Sequence, residues 1–541
     1  MPQYPGDQDL RLHMINKIEN ANAWRLLASS QTLTWVFVTL GVVLRIRQYL
    51  FNRSLWLDES MLSLNIIRRS AAELLKPLDY AQAAPVGYLW LEKLAVQYFG
   101  TGELALRLVP LCCGIASVAL FALLAQKFLP PSAAAIAVGL FSVSEPLIYY
   151  ASEVKQYSSD VAFALILCLA AIPLFEDSSR IRGMLSVSLA GGIALWFSNP
   201  AVFILAGVGF SAFWISARKR DWRGVLLLSI PAVAWSCSFL IYYLFFLRDV
   251  LTAHRDLFYF WRASFAPFPP TSPSAILWYG SAFLNIVSYP VGTLFPGIAA
   301  IAAVLGVAHF RAGDRSKFLI LLSPMALTLM ASWARFYPLE NRLILFLVPA
   351  VILFFAAGME SINAATRKTL PLLSILFVGF LLGYPFLRAI WHFAKPKGVE
   401  EIKLSLGYVE KHRSPGDILY CYYGAAPALE YYNRRGLVGP IDEVIGVDSH
   451  QQWASYEQDL NKLRGHKRVW IVFSHVWQTG RVDEELLFLS FLDRFGTRVD
   501  SIHATGSSAY LYDLSARRPV PTASGVAPAD LTHSAGEPLR Q

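Results

Sequence analysis

Residues 31–60 read QTLTWVFVTLGVVLRIRQYLFNRSLWLDES. The run Gln31–Leu50 matches the roughly 20 apolar residues that a single helix needs to cross a bilayer core. A few residues later Asp58 and Glu59 stand side by side behind Leu55-Trp56-Leu57. An apolar span followed by paired acids frames the two questions that the rest of the chain must answer. One is how much of it lies in lipid, and the other is what chemistry sits at the boundary.

Charged residues make up only 16% of the 541 positions against 55% hydrophobic ones, too few to cover a water-soluble surface. The 14% aromatic content, with 15 Trp and 24 Tyr, suits many membrane–water boundaries as well as stacking on sugars. The net charge of +9 is spread over short loops instead of one basic stripe, which argues against nucleic acid and for topology signals and anionic headgroups. Of the five Cys, Cys112, Cys113, Cys168 and Cys237 lie in apolar runs and Cys421 in a soluble-looking stretch, so no disulfide framework or CxxC metal site follows. The polar segment 1–30 precedes a run with no small-residue cleavage site, so that run reads as a retained anchor with its start inside.

The same ruler places further spans near Leu108–Ala125, Ser132–Tyr150, Val161–Phe175, Gly183–Phe197, Pro200–Ala217, Gly224–Leu247, Ala275–Phe310, Phe318–Ala334, Leu343–Met359 and Thr369–Leu387, about eleven in all. Ala275–Phe310 is too long for one straight crossing and contains Pro290 and Pro296, so it reads as one crossing plus a re-entrant or interfacial piece. Loop charge decides this. The clusters at Arg180–Arg182, Arg218–Arg220, Arg311–Lys317 and Arg367-Lys368 are all cytoplasmic under the positive-inside rule only with an odd number of crossings between Leu247 and Arg311. The outer loops are then 51–107, 151–160 and 248–274, with everything after Leu387 also outside. From Lys395 composition turns ordinary, with strand-like runs at Asp417–Tyr423, Arg468–Phe473 and Ala509–Tyr512 and an amphipathic stretch Gly398–His412: a small extracytoplasmic α/β domain over 395–514. A Pro/Ala/Ser/Gly-rich tail, 515–541, reads as disordered. The expected architecture is a polytopic α-helical membrane protein, 31–390, bearing that domain.

On a helix Asp58 and Glu59 diverge by roughly 100°, so they serve different partners instead of acting as a facing pair. Asp58 suits a general base, and Glu59 suits holding sugar hydroxyls or orienting that base. The plainer alternative makes Asp58 an N-cap for a helix Glu59–Arg69. The second outer loop carries Tyr149-Tyr150-Ala151-Ser152-Glu153-Val154-Lys155-Gln156-Tyr157-Ser158-Ser159-Asp160. If helical, Glu153, Tyr157 and Asp160 share one stripe and Lys155 with Ser159 another, and Lys155 is placed to meet a leaving phosphate. A solvated interfacial turn is the alternative. Arg107 and Arg342 suit either neutralising a lipid phosphate or plain interfacial anchoring. The third outer loop mixes Arg248, Asp249, His254, Arg255, Asp256 and Arg262 with Phe258, Tyr259, Phe260 and Trp261, as a cover over a lipid cavity or any interfacial helix would. Tyr420–Tyr423 and Tyr431-Tyr432 read as core, or else as an aromatic face for an acceptor.

Four stretches resemble the GT-C glycosyltransferases: Trp56-Leu57-Asp58-Glu59, Asp79 through Tyr88, Ala105-Leu106-Arg107-Leu108-Val109-Pro110, and Ser152-Glu153-Val154-Lys155-Gln156-Tyr157. Tyr337-Pro338-Leu339-Glu340-Asn341-Arg342 is similar to that family's arginine-bearing start of a late span, and the nearest branch looks like the bacterial protein O-mannosyltransferases and lipid A aminoarabinose transferases. The resemblance implies a hexosyl- or pentosyltransferase. Its donor would be a polyprenyl-phosphate sugar, its acceptor a lipid, glycan or protein of the cell envelope, and its reaction an inverting single displacement. It puts Asp58 at the family's first-loop acid position and gives Glu59, Arg107, Glu153, Lys155, Tyr157 and Arg342 substrate-binding roles. It implies a bacterial inner membrane with the site on the periplasmic side. A divalent cation is left open, since dependence on one varies in the superfamily and His254 stands singly in its loop. The competing class is a transporter or flippase, which needs ionisable groups near mid-membrane; Glu145 comes nearest.

Overall fold

In lipid every backbone N–H and C=O must find its partner within the protein, and a helix does this inside one segment. The computed structural model describes residues 30–176, 180–253, 259–340, 342–366, 371–449, 452–479 and 482–515. The expectations for nearly all of 1–30 and of 515–541 and for His254, Arg255, Asp256, Phe258, Arg367 and Lys368 fall outside these residues.

Seven described helices are long and apolar enough to cross a membrane: Ser30–Leu50, Leu108–Phe128, Tyr157–Phe175, Ala201–Arg218, Trp222–Ala253, Arg315–Trp333 and Leu345–Thr366. Two bent pairs raise the number to as many as nine, Pro131–Val143 with Glu145–Ser152 at 54° and Pro273–Val291 with Pro296–Ala312 at 92°. The protein is therefore a multi-pass membrane protein. The expected count of about eleven also included the ranges now occupied by the helices Arg180–Phe197 and Pro371–Ala394. The first of these opens on Arg180 and Arg182, which dilute its apolar character. The long Ala275–Phe310 run breaks where Gly292 takes φ +70° as a left-handed cap and Pro296 starts the next helix.

The described chain forms two compact units. The first comprises Met1–Phe51, Ala84–Leu91 and Arg107–Pro396. Its core is a continuous apolar cluster rich in Ala, Leu, Val and Phe. Small residues let backbones meet there: a Cβ added at Gly306 would run into the carbonyl of Phe354, and one at Gly358 into the carbonyl of Ala302.

The second unit comprises Asn52–Ala83, Glu92–Leu106 and Lys397–Gln541. Its strands are β1 (Ile418–Cys421), β2 (Asp442–Ile445), β3 (Val469–Ser474), β4 (Gln478–Thr479), β5 (Val482–Asp483), β6 (Thr497–Ala504) and β7 (Ser507–Asp513). Five of them make a sheet in the order β2-β1-β3-β7-β6, while β4 and β5 pair separately. β1 runs parallel to β2 and β3, Ile418 lying opposite Asp442 and Val469, whereas β7 is antiparallel to both β3 and β6. The central strand VWIVFS is buried along its whole length, as a strand covered on both faces must be. Tyr420, Tyr422, Tyr431 and Tyr432 are fully buried, so this aromatic group belongs to the domain's interior.

Candidate active site

In the second unit the acid pair lies on the helix Leu57–Arg68, with Trp56 at the N-cap. Asp58 is thus a first-turn residue and not the cap, because the helix starts two residues earlier than a cap at Asp58 would have it. Acids in the first turn meet the positive end of the helix dipole. The pair diverges as expected. Glu59 is buried and ion-paired with the buried Arg53 at 2.5 Å, while its Oε2 also lies 3.5 Å from the Trp56 N–H. Asp58 is half-buried.

The helix is held at both ends. At its C-terminal end Lys93 Nζ donates to the carbonyls of Ile66 (2.9 Å) and Ile67 (3.2 Å), a cation where the dipole favours one. Burial lowers the Lys93 pKa, with Glu73 pulling the other way. Asn65 clasps the backbone of Asp79 in both directions, accepting from its N–H (2.9 Å) and donating to its carbonyl (3.2 Å). At the N-terminal end the partners are remote in sequence: Ser54 bonds to Glu401, the Leu55 N–H to Tyr432 Oη and the Leu57 N–H to Glu400.

The remaining sequence-derived residues, Arg107, Glu153, Lys155, Tyr157 and Arg342, belong to the first unit. A break at Ser144 turns the chain from Pro131–Val143 into Glu145–Tyr149. The buried Arg45 guanidinium donates to carbonyls near this break that a helix end otherwise leaves unpartnered, Ser142 at 3.3 Å and Phe141 at 3.4 Å, and to the Gly41 carbonyl one turn back on its own helix at 2.9 Å. Glu153 to Gln156 are not helical; the next helix starts at Tyr157. The single stripe expected for Glu153, Tyr157 and Asp160 therefore does not form. A tight turn replaces it, in which the Lys155 N–H donates to the Glu153 carbonyl at 2.7 Å. Glu153, Lys155, Tyr157 and Asp160 are all buried, so this is no solvated turn. The Tyr150 ring packs edge-on against both Tyr149 and Tyr157 with centroids 5.2 Å apart.

Arg107 is buried at the N-cap of Leu108–Phe128. That helix packs close to the second loop because residue 114 is glycine: a Cβ there would strike Ala151. Arg342 stacks on Trp261, its guanidinium carbon 5.5 Å from the ring centroid. Three hydrogen bonds tie this stretch of the third loop to residues 332–340: the Leu339 N–H to the Ser264 carbonyl (2.8 Å), Ser264 Oγ to Glu340 (2.7 Å) and the Ala266 N–H to Ser332 Oγ (2.9 Å). Among the described residues no group of three or more His, Cys, Asp or Glu is arranged to hold a metal.

No family model and no curated protein sequence matches this chain. Solved structures do. ArnT from Cupriavidus metallidurans bound to undecaprenyl phosphate is similar over 91% of this chain and 98% of its own, at 13% identity and TM-score 0.50. The Archaeoglobus fulgidus oligosaccharyltransferase in the apo form is similar over 91% and 75%, at 12% identity and TM-score 0.52. AglB from the same organism, in complex with an inhibitory peptide and a dolichol-phosphate, is similar over 89% and 74%, at 12% identity and TM-score 0.50. The chain has the GT-C fold. The fold that the sequence motifs implied thus extends over 91% of the chain. Within the GT-C fold the sequence motifs pick out Asp58, Arg107, Lys155 and Arg342, but not Arg45, Lys93, Glu400, Glu401 or Tyr432, which hold two of the loops in place. Arg45 carried a signal in the sequence, an arginine inside an apolar span. The others carried none, because their partners lie far away in the chain.

Proposed function

We propose that the protein is a membrane glycosyltransferase that moves a sugar from a polyprenyl-phosphate donor to an extracytoplasmic acceptor of a bacterial envelope. The observation that carries this reading is the GT-C fold over 91% of the chain, shared with a structure bound to undecaprenyl phosphate. Asp58 acts as general base: its carboxylate takes the proton of the acceptor hydroxyl as that oxygen attacks the anomeric carbon. The bond from that carbon to the carrier phosphate breaks, its electron pair stays on the phosphate oxygen, and configuration inverts. Lys155, Arg107 and Arg342 meet the growing charge on the leaving phosphate. Glu59, engaged by Arg53, orients the turn that carries Asp58, and Glu153 and Tyr157 line the second loop.

In membranes supplied with polyprenyl-phosphate sugars, Asp58→Asn is expected to keep the protein folded and to lower transfer by about 100- to 10,000-fold. Retained transfer by that variant sinks the base assignment. Absence of transfer by the unaltered protein from every polyprenyl-phosphate sugar tried sinks the reading itself. Glu145, the best acid for the transporter alternative, is ion-paired with Arg388 at 2.7 Å and lies 3.4 Å from His392.

A further inference from the structure

The N-cap residue of the helix that carries Asp58 offers no side-chain cap. It is Trp56, whose indole is a donor only and satisfies none of the N–H groups that open a helix. Acceptors meet the N–H groups of four consecutive positions at this helix start, one from the helix itself and three from elsewhere in the unit. Ser54 N–H donates to Glu401 (3.1 Å), Leu55 N–H to Tyr432 Oη (2.9 Å), Trp56 N–H to Glu59 (3.5 Å) and Leu57 N–H to Glu400 (3.2 Å). Three of these four acceptors belong to the C-terminal α/β domain.

Glu400 is itself held. It is only 8% exposed; Oε1 lies 2.7 Å from His475 Nδ1 and Oε2 3.4 Å from Ser474 Oγ. His475 leaves the end of β3 with φ +51°, a left-handed conformation uncommon for a residue with a side chain. Its imidazole faces the Trp56 ring at 6.1 Å. The β6–β7 turn fixes the segment from the other side: the Glu401 N–H donates to the Thr505 carbonyl at 2.7 Å, and a Cβ at Gly506 would collide with Val399 and Glu400. Two adjacent buried carboxylates before a helix are costly unless they do something, and here both grip the first loop.

We propose that Glu400, held by His475, is a positioning residue for Asp58: the α/β domain takes the first N–H of the acid-bearing helix, that of Leu57, and thereby sets where the Asp58 carboxylate points. This rests on the assignment of Asp58 above. The α/β domain is then a working part of the catalytic site, since it fixes a base that belongs to a different stretch of the chain.

The test uses the full-length protein in nanodiscs, a panel of undecaprenyl-phosphate hexoses and pentoses as donors, and a total envelope lipid extract as acceptor. Glu400→Ala is expected to lower kcat about 10- to 100-fold, the scale of a misplaced catalytic group, with the donor KM unchanged. Glu400→Gln keeps an oxygen for the Leu57 N–H and should recover most of that loss. His475→Ala should fall between the two, and it provides a second probe should Glu400→Ala fail to fold. Independently of turnover, hydrogen exchange over residues 54–60 should quicken in Glu400→Ala at least about tenfold while β3 and β7 keep their protection. Unchanged exchange at 54–60 overturns the clamp, as does unchanged kcat once those amides have opened. If the unaltered protein transfers no sugar, the functional reading fails, and exchange alone then decides whether Glu400 holds the helix.

Discussion

Glu103 shows how a single side chain ties the first loop to the α/β domain. Burial by itself would raise its pKa, but its own backbone N–H, Lys403 at 3.0 Å and Arg435 at 3.9 Å outweigh burial and hold it below the ordinary value. A carboxyl so lowered binds its proton more weakly in the folded chain than in the unfolded one. Its stabilising contribution is therefore full above the unfolded pKa of about 4.3 and is lost as pH falls through the lower folded value. Hydrogen exchange of residues 92–106 followed down an acid series should show protection persisting below the ordinary carboxyl range, and Lys403→Met should move its loss to higher pH. No difference between the two proteins would mean that Lys403 does not set the Glu103 titration. That the acids at 58–59 diverge was legible in the sequence, because adjacent helical residues must. The partner of Glu59 was not. Arg53 is six residues from Glu59, yet a basic residue beside a span reads first as an interfacial anchor.

At the scale of elements, glycine decides how closely the spans pack. Pro296–Ala312 and Val348–Thr366 approach so tightly that Gly306 faces the Phe354 carbonyl and Gly358 the Ala302 carbonyl. Backbone cannot move aside as a flexible side chain does, so Gly306→Ala must push the helices apart. The cost expected for such overpacking is about 1–3 kcal/mol, read as a lowered thermal midpoint in detergent. Gly280→Ala, where an added Cβ meets nothing within 4 Å, is the control and should leave the midpoint in place. Equal effects from the two substitutions would remove the packing argument. The apolar runs themselves were legible from composition, and so was the break in Ala275–Phe310, since Pro290 and Pro296 announce it. The non-helical turn at Glu153–Gln156 was not, because its residues carry no Gly or Pro and their helical spacing looked sound. Burial of Glu153, Lys155, Tyr157, Ser158, Ser159 and Asp160 outweighs that local preference.

At the scale of the molecule, apolar composition predicted the multi-pass body, and the strand-like runs after Lys395 announced the C-terminal sheet. The grouping of Asn52–Ala83 and Glu92–Leu106 with that domain could not be read from the sequence. Its contacts join residues more than three hundred positions apart: Ser54 with Glu401, Leu55 with Tyr432, Arg68 and Tyr80 with Glu430, and the Thr101 carbonyl with Tyr431. No local pattern encodes such pairings; they exist only once the sheet has placed its connecting helices. The first loop therefore borrows its order. Truncation after Pro396 removes the acceptors for Ser54, Leu55 and Leu57 and the partners of Arg68 and Lys403's mate Glu103, while leaving every span intact. The truncated protein should still insert in membranes, but limited proteolysis should cut within 52–83 at protease levels that spare the full chain, and the spans should stay resistant. A truncated chain whose first loop resists cleavage as well as the full-length one would show that the loop orders itself and that the α/β domain is an appendage.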